Sequence, residues 1–267
     1  MLSFIFTSMY IIGLIISLAI GIILGLVGGG GSILTVPLVH HFFGESMLLA
    51  TSYSLFVVTL SAAVGSVQRI KNKEVDFKKA FIFVVPSMLT AVAIRMWVMP
   101  EIPVDFTFFD KGFHRSTVIT IVLIIVMVYT ALRTLLNKKP PSPEPVSSIT
   151  IILFGILTGL LSGFIGAGGG FIIVPILLGM GLNMKKAVAT SMFIIAIQSG
   201  IAMVGDFFNP EILEIGINWP LLLAITGVTI LGVFLGNSFQ KKVSTKWLKK
   251  AFSILLLLVA MGLLLKL

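Results

Sequence analysis

Long apolar stretches separated by short polar connections run through the 267 residues of this chain. Ten of them are predicted to be helices, at residues 3–27, 32–43, 47–68, 78–99, 117–137, 149–165, 170–182, 186–205, 217–238 and 248–265. A helix needs about 20 residues to cross the hydrocarbon core of a membrane, so most are long enough, whereas the second and seventh are short. The pattern predicts an all-α polytopic membrane protein.

Composition supports a membrane protein. Apolar residues make up 57% of the chain and charged residues 11%, against about a quarter charged in soluble domains. The absence of cysteine excludes disulfides, thiolate metal sites and cysteine nucleophiles,. Neither a metal site nor a cofactor is expected. The first apolar segment has no basic residue before it, which favours a retained membrane helix over a signal peptide.

The basic residues predict how the segments alternate across the membrane. If all ten cross, 15 of the 19 Lys and Arg residues fall on one face, in connections 69–79, 133–147, 185–186 and 240–250. The positive-inside rule makes that face cytoplasmic. The acidic connections, including Asp206, then lie opposite, and both termini lie outside. A re-entrant seventh segment would put some of these lysines on the wrong face.

A duplicated glycine-rich phrase divides the chain. Residues 25–37 read GLVGGGGSILTVP, residues 163–175 read GFIGAGGGFIIVP, and Ala-Thr-Ser follows at 50–52 and at 189–191. Five spans per repeat would insert the halves in opposite directions. We therefore predict a first transmembrane repeat at 1–137, a cytoplasmic linker at 138–148 and a second repeat at 149–267. Broken segments at matching positions in two halves typify a transporter binding site.

The glycine breaks are candidate anion sites. Glycine runs hold a helix poorly, and non-helical backbone within a membrane must be buried in protein or line a cavity. Each break precedes a predicted new helix, near Ser32 and near Gly170, whose first N–H groups and positive dipole end favour an anion. Close helix packing is the alternative reason for the glycines. The candidates are Gly28, Gly29, Gly30, Gly31, Ser32, Gly166, Gly168, Gly169 and Gly170.

Other polar residues in the apolar segments could contact the same substrate. Their hydroxyl and amide groups can donate to oxyanion oxygens, or they can bond to their own helices instead. Arg95 is the charge set inside a span; it could bind an anion, or it could extend to the interface beside Trp97. The residues concerned are Thr51, Ser52, Arg95, Thr190, Ser191 and Gln198.

The paired glycine phrases, each leading into Val-Pro and then Ala-Thr-Ser, resemble the TauE/SafE family of membrane anion exporters. The resemblance covers nearly the whole chain. It implies export of sulfite or of an organosulfonate such as sulfoacetate from a bacterial or archaeal cytoplasm, through the inner membrane. The family's motif positions correspond to Gly25, Gly28, Gly30, Gly31, Pro37, Gly163, Gly166, Gly168, Gly169, Pro175 and the two Thr-Ser pairs.

A secondary transporter working by alternating access is therefore the leading hypothesis, with a passive anion channel and an intramembrane enzyme as alternatives. The sequence has no HExxH motif and no Walker A phrase,. It also places no carboxylate deep in a span, and anion export is downhill in the membrane potential by about 2.3 kcal/mol per charge per 100 mV, so uniport would suffice. The expected partners are a small anion and membrane lipids rather than nucleic acid; a homo-oligomer stays open.

Overall fold

The computed structural model describes residues 2–28, 30–108, 111–136, 147–166, 168–206, 208–239 and 245–265. Its helices are α1 Leu2–Val27, α2 Thr35–Phe42, α3 Met47–Lys71, α4 Phe77–Ala93, α5 Arg115–Leu136, α6 Ser148–Ile165, α7 Gly170–Gly179, α8 Met184–Asp206, α9 Pro210–Ile215, α10 Trp219–Phe239 and α11 Thr245–Leu264. A 3₁₀ helix, Gly30–Leu34, leads into α2, and a π-helical turn, Ile94–Val98, follows α4. Each predicted apolar segment is helical.

The apolar lengths fit a multi-pass membrane protein. Among the described residues, six helices are long and apolar enough to cross a membrane, within α1, α3, α4 with its π turn, α5, α8 and α10. Three shorter apolar helices, at Ser32–Phe42, Ile149–Ile165 and Ser253–Leu264, accompany them. The proline-rich linker predicted at 138–148 lies largely outside the described residues, as does Gly29.

Two details differ from the sequence prediction. Residues between α4 and α5 form a hairpin of two antiparallel strands, β1 Asp105–Phe108 and β2 Lys111–His114, so the chain is not entirely helical. The helix predicted to start near Ser32 starts at Thr35, because the preceding residues form the tighter 3₁₀ turns, which are frequent at helix starts,. The second predicted start, Gly170, is confirmed.

The long helices α3 and α8 pack against each other at the centre. A methyl group at Gly65 would meet Met192, and one at Gly200 would lie 3.2 Å from Thr59 Cγ2, so these two helices run antiparallel. Their C-terminal ends therefore lie at opposite ends of the bundle. Close to this pair, the 3₁₀ helix of the first break packs against α7 of the second. The fold thus brings the two glycine phrases together.

Two further helix pairs pack backbone against backbone. In the α1–α10 pair, a methyl group at Gly21 would collide with the carbonyl oxygen of Thr229. In the α4–α6 pair, a methyl group at Gly159 would collide with the carbonyl oxygen of Ser87 in the same way. Gly21 and Gly159 stand 138 residues apart, the separation of the two glycine phrases. Close packing thus explains these glycines, which have ordinary helical backbone.

Candidate functional site

A buried ion pair joins the π-helical turn after α4 to the last residue of α8. Arg95 Nη1 donates to Asp206 Oδ1 at 3.0 Å, and a longer contact of 3.5 Å reaches Ser52 Oγ. Arg95 is 1% exposed and Asp206 6%, whereas Trp97, two residues further, is 69% exposed. Arg95 therefore does not extend to the interface, and the alternative that placed it there is wrong.

One edge of the Arg95 guanidinium has no hydrogen-bond partner in the part of the chain that the structure describes. Its Nε and Nη2 atoms are buried and have no hydrogen-bond partner among the described residues, and the same holds for Asp206 Oδ2. Nε–H and Nη2–H point from the same side of the planar group, the fork that binds an oxyanion through two parallel hydrogen bonds. Leaving such hydrogen-bond donors unpaired inside a protein costs free energy. The arrangement suits a small oxyanion.

Asp206 was missed by the sequence analysis, which placed it in an acidic connection and found no carboxylate deep in a span. The placement in a connection is wrong, because Asp206 is the last residue of α8 and of the apolar stretch long enough to cross a membrane. The expectation about carboxylates deep in a span stays a prediction. A local signal was present. Asn209 and Pro210 begin the next helix, with the Asn209 side chain accepting from Glu211 N, which leaves little room for an acidic loop.

The second break is built on glycines with left-handed backbone. Gly166 ends α6 with φ +75°, and Gly168 and Gly169 follow with φ +63° and +65°. Residues with a Cβ rarely adopt this conformation, which explains the glycine run. The residue at the N-cap of α7 is Gly169, which has no side chain to cap the first turn. Its first N–H groups thus keep the capacity to bind an anion that the sequence analysis inferred.

Two side chains of α8 lie against this break. Gln198 Nε2 donates to Thr158 O at 3.4 Å, which uses one of its two N–H groups, and a methyl group at Gly169 would lie 3.3 Å from the same nitrogen,. A methyl group at Gly168 would lie 3.0 Å from Ser199 Oγ. Both side chains are fully buried, and Ser199 Oγ has no partner among the described residues.

Ser199 was not predicted, although the repeat carried a signal for it. Ser61 and Ser199 stand 138 residues apart, the separation of the glycine phrases. Both are fully buried, and within the described part of the chain neither hydroxyl has a hydrogen-bond partner. A search for polar residues at that spacing would have found the pair.

Each break packs on the Ala-Thr-Ser phrase of the other half. A methyl group at Gly28, where φ is +77°, would lie 2.6 Å from Ser191 Oγ, and one at Gly166 would collide with the backbone of Thr51. Ser32 is buried in the 3₁₀ helix that contains Gly30 and Gly31. The predicted candidates from the two halves are therefore brought together in matched, crossed contacts.

The hydroxyls of the two Thr-Ser pairs form hydrogen bonds within the protein. Thr51, Ser52 and Ser191 donate to carbonyls of the preceding turn at 2.7, 3.2 and 2.9 Å. Thr190 Oγ1 accepts from the backbone N–H of Asp76 at 3.0 Å, at the start of α4. In this conformation Thr51, Ser52 and Ser191 bond to their own helices, which was the alternative role considered for them, and Thr190 bonds to the start of α4.

Apolar helices of spanning length, two glycine-broken segments and a buried arginine–aspartate pair define a multi-pass membrane protein with an internal polar site. The chain belongs to the sulfite exporter TauE/SafE family, whose profile matches residues 13–263. The relatives that it resembles are named as membrane transporters, so the family resemblance seen in the sequence is confirmed.

The similarity to individual relatives extends over nearly full lengths. The chain is 27% identical to a probable membrane transporter protein of Haemophilus influenzae, covering 95% of this chain and 97% of that one. It is also 27% identical to one of Methanocaldococcus jannaschii (91% of each chain) and 26% identical to YunE of Bacillus subtilis (94% and 95%). No solved structure matches the chain.

Proposed function

We propose that this protein is a secondary transporter that exports a small sulfur oxyanion, sulfite or an organosulfonate such as sulfoacetate, across the cytoplasmic membrane by alternating access. The observation that carries the proposal is the edge of the buried Arg95 guanidinium, whose Nε and Nη2 atoms have no hydrogen-bond partner among the described residues. Membership of a family described as sulfite exporters supports the substrate class.

The proposed architecture has ten spans in two inverted groups of five, with both termini outside. Matched contacts support it: α1 packs on α10 as α6 packs on α4, and α3 packs on α8 at the centre. The crossed contacts of the two breaks with the two Thr-Ser phrases follow the same pattern. Inverted repeats with broken helices are typical of carriers that alternate around a central site.

The anion is proposed to bind along one face of α8. Ser199 and Asp206 stand seven residues apart, which puts them on the same face, about 10 Å apart along the helix axis,. We propose two successive positions for the anion. One is at Arg95, which is paired with Asp206, and the other is at the break, where Ser199, Gln198 and the first N–H groups of α7 are the donors. A tetrahedral oxyanion can accept from such donors in several directions, unlike a planar carboxylate.

Calorimetry on the purified protein with sulfite, sulfate, sulfoacetate, malonate, taurine and acetate tests the proposal. Sulfoacetate should bind more tightly than malonate, and Ser199→Ala should weaken binding roughly tenfold to a hundredfold, because a hydrogen bond to a charged group contributes about 1.5–3 kcal/mol. Ser87→Ala is the matched control: its hydroxyl is also buried and unpartnered among the described residues, but Ser87 packs at the α4–α6 contact.

Absence of binding for every anion would reject the proposed function, and equal affinity for sulfoacetate and malonate would reject the tetrahedral preference. Flux into proteoliposomes separates a carrier from a channel. We expect flux that saturates with anion concentration and shows counterflow. Flux that rises linearly, without counterflow, would contradict alternating access.

A further inference from the structure

We propose that Asp206 takes up a proton when an anion binds to Arg95, so that a monovalent anion crosses together with one proton and no net charge moves; this inference rests on the proposed function. Export is then driven by the concentration gradient of the anion rather than by the membrane potential. Asp206 Oδ1 holds Arg95 Nη1 at 3.0 Å, while Oδ2 is buried and has no hydrogen-bond partner among the described residues. The carboxylate thus has one oxygen that pairs with the arginine and one that can carry a proton.

The charges of the site give the reason. When no anion is bound, the charges of Arg95 and Asp206 sum to zero. An anion on the free guanidinium edge brings a second negative charge to the same cation, in a position with almost no exposure to water. Two like charges at one site disfavour the ionised state of the one that can be protonated. A proton on Asp206 Oδ2 returns the sum to zero for a monovalent anion.

A cluster at the other end of the bundle offers a comparison. There Arg69, in the last turn of α3, donates from Nη2 to the Gly25 carbonyl and to Asn237 Oδ1, both at 2.8 Å. Like the Arg95 pair, this contact ties the C-terminal end of a central helix to the C-terminal end of its neighbour. The partner on the neighbouring helix is an amide, which cannot titrate. The carboxylate at this end, Glu74, lies 3.7 Å from Arg69 and 2.8 Å from Lys185, so two cations already stabilise its charge. We therefore assign proton coupling to the Arg95 end alone.

A small cavity adjoins Asp206. It measures about 40 Å³, and Ser52, Tyr53, Met203, Asp206, Trp219 and Leu222 lie on its wall. The other titratable or charged groups around Asp206 are accounted for. The Tyr53 hydroxyl accepts from Asn218 N, Glu211 of α9 pairs with Arg115 of α5, and Glu214 is exposed.

Calorimetry in buffers of different ionisation enthalpy measures the protons taken up on binding, with methanesulfonate as the first probe because a sulfonate stays ionised. We expect one proton per bound anion and an affinity that falls about tenfold for each pH unit above the titration of the site. Asp206→Asn imitates the protonated carboxyl and should bind without proton uptake and without pH dependence. In proteoliposomes a pH gradient should drive flux in the wild type only.

Matched variants separate this site from its neighbours. Glu211→Gln and Tyr53→Phe should keep the uptake of one proton. Binding by the wild type without proton uptake would overturn the coupling while leaving the proposed function intact, and it needs no variant to fold. Unchanged uptake in Asp206→Asn would also overturn it. If no anion of the panel binds at any pH, the proposed function fails and the coupling with it.

Discussion

The two halves of this molecule share a framework and differ in the chemistry attached to it. Gly21 and Gly159 make the same backbone contact, and Gly28 and Gly166 make crossed contacts with the same left-handed φ. The arginines differ. Arg69 is bound by a carbonyl, an amide and Glu74, whereas Arg95 is bound by one carboxylate oxygen and a distant hydroxyl. Packing is thus repeated between the halves, whereas the two buried arginines, at opposite ends of the bundle, differ in the groups that bind them.

The largest effects should separate the two arginines. Arg95→Gln combined with Asp206→Asn removes both charges together, so the protein should stay folded while anion affinity falls more than about a hundredfold, since two charge-assisted hydrogen bonds are lost. Arg69→Gln should instead lower the free energy of unfolding by about 3–5 kcal/mol, the cost of breaking a buried pair. Calorimetry and unfolding measurements on the same preparations report both quantities.

Retained affinity in the Arg95→Gln, Asp206→Asn protein would contradict this distinction. Loss of affinity in folded Arg69→Gln protein would do so as well, because Arg69 would then take part in binding. A conservative comparison is Arg69→Lys, which keeps the charge and should recover part of the stability without altering the anion affinity.

The glycine contacts that the two halves share should contribute equally to the free energy of unfolding in each half. Gly28→Ala and Gly166→Ala each add left-handed strain and a collision, and should lower the free energy of unfolding by about 2–4 kcal/mol. Gly44→Ala and Gly181→Ala are the matched controls, since φ is positive there but nothing lies within 4 Å of the added methyl group. They should cost about 1–2 kcal/mol, the left-handed strain alone. Equal costs at all four positions would show that the crossed contacts do not matter.

A smaller difference is expected between the matched threonines. Thr190→Val removes the acceptor of the Asp76 N–H and should cost about 1 kcal/mol of unfolding free energy,. Thr51→Val removes only a hydroxyl that donates to its own helix, so its effect should stay below about 0.5 kcal/mol,. Thermal unfolding of the two purified variants measures the difference, and a larger effect at Thr51 would reverse the assignment.

The smallest effect concerns the matched turns before α3 and α8, where Glu45 corresponds in position to Leu182. Partial burial raises the pKa of Glu45. An acid whose pKa is raised on folding adds stability at low pH and loses it as the pH rises through the folded value. Glu45→Gln should therefore raise the Tm slightly at neutral pH and leave it unchanged near pH 4. An equal rise at both pH values would argue against a titration effect.

Helix positions and the breaks could be predicted from the sequence, because apolar length and glycine content act locally. All ten apolar segments are helices, and Gly166, Gly168 and Gly169 have the left-handed backbone that a glycine run suggests. The charge distribution gave the orientation only as a hypothesis, since it depends on a membrane rather than on the fold.

The polar contacts could not be predicted, because they join residues far apart in the chain. Arg95 and Asp206 are separated by 111 residues, and their pairing depends on how far α8 continues and on the π-helical turn after α4. Ser199 follows Gln198 in a helix that also contains Thr190, Ser191 and Asp206, and its contact with Gly168 cannot be predicted from its neighbours in the chain. Sequence showed which residues were unusual, but not which of them meet.

The backbone contacts of α1 with α10 and of α4 with α6 have a mechanical consequence. Each pair takes one helix from each half of the chain. The glycines bring the two backbones into direct contact, which leaves no room for one helix to slide along the other. A half of the chain therefore cannot rock as a unit without breaking such a pair. The rigid bodies of any conformational change must each contain helices from both halves, and the glycine breaks are left as the joints between them.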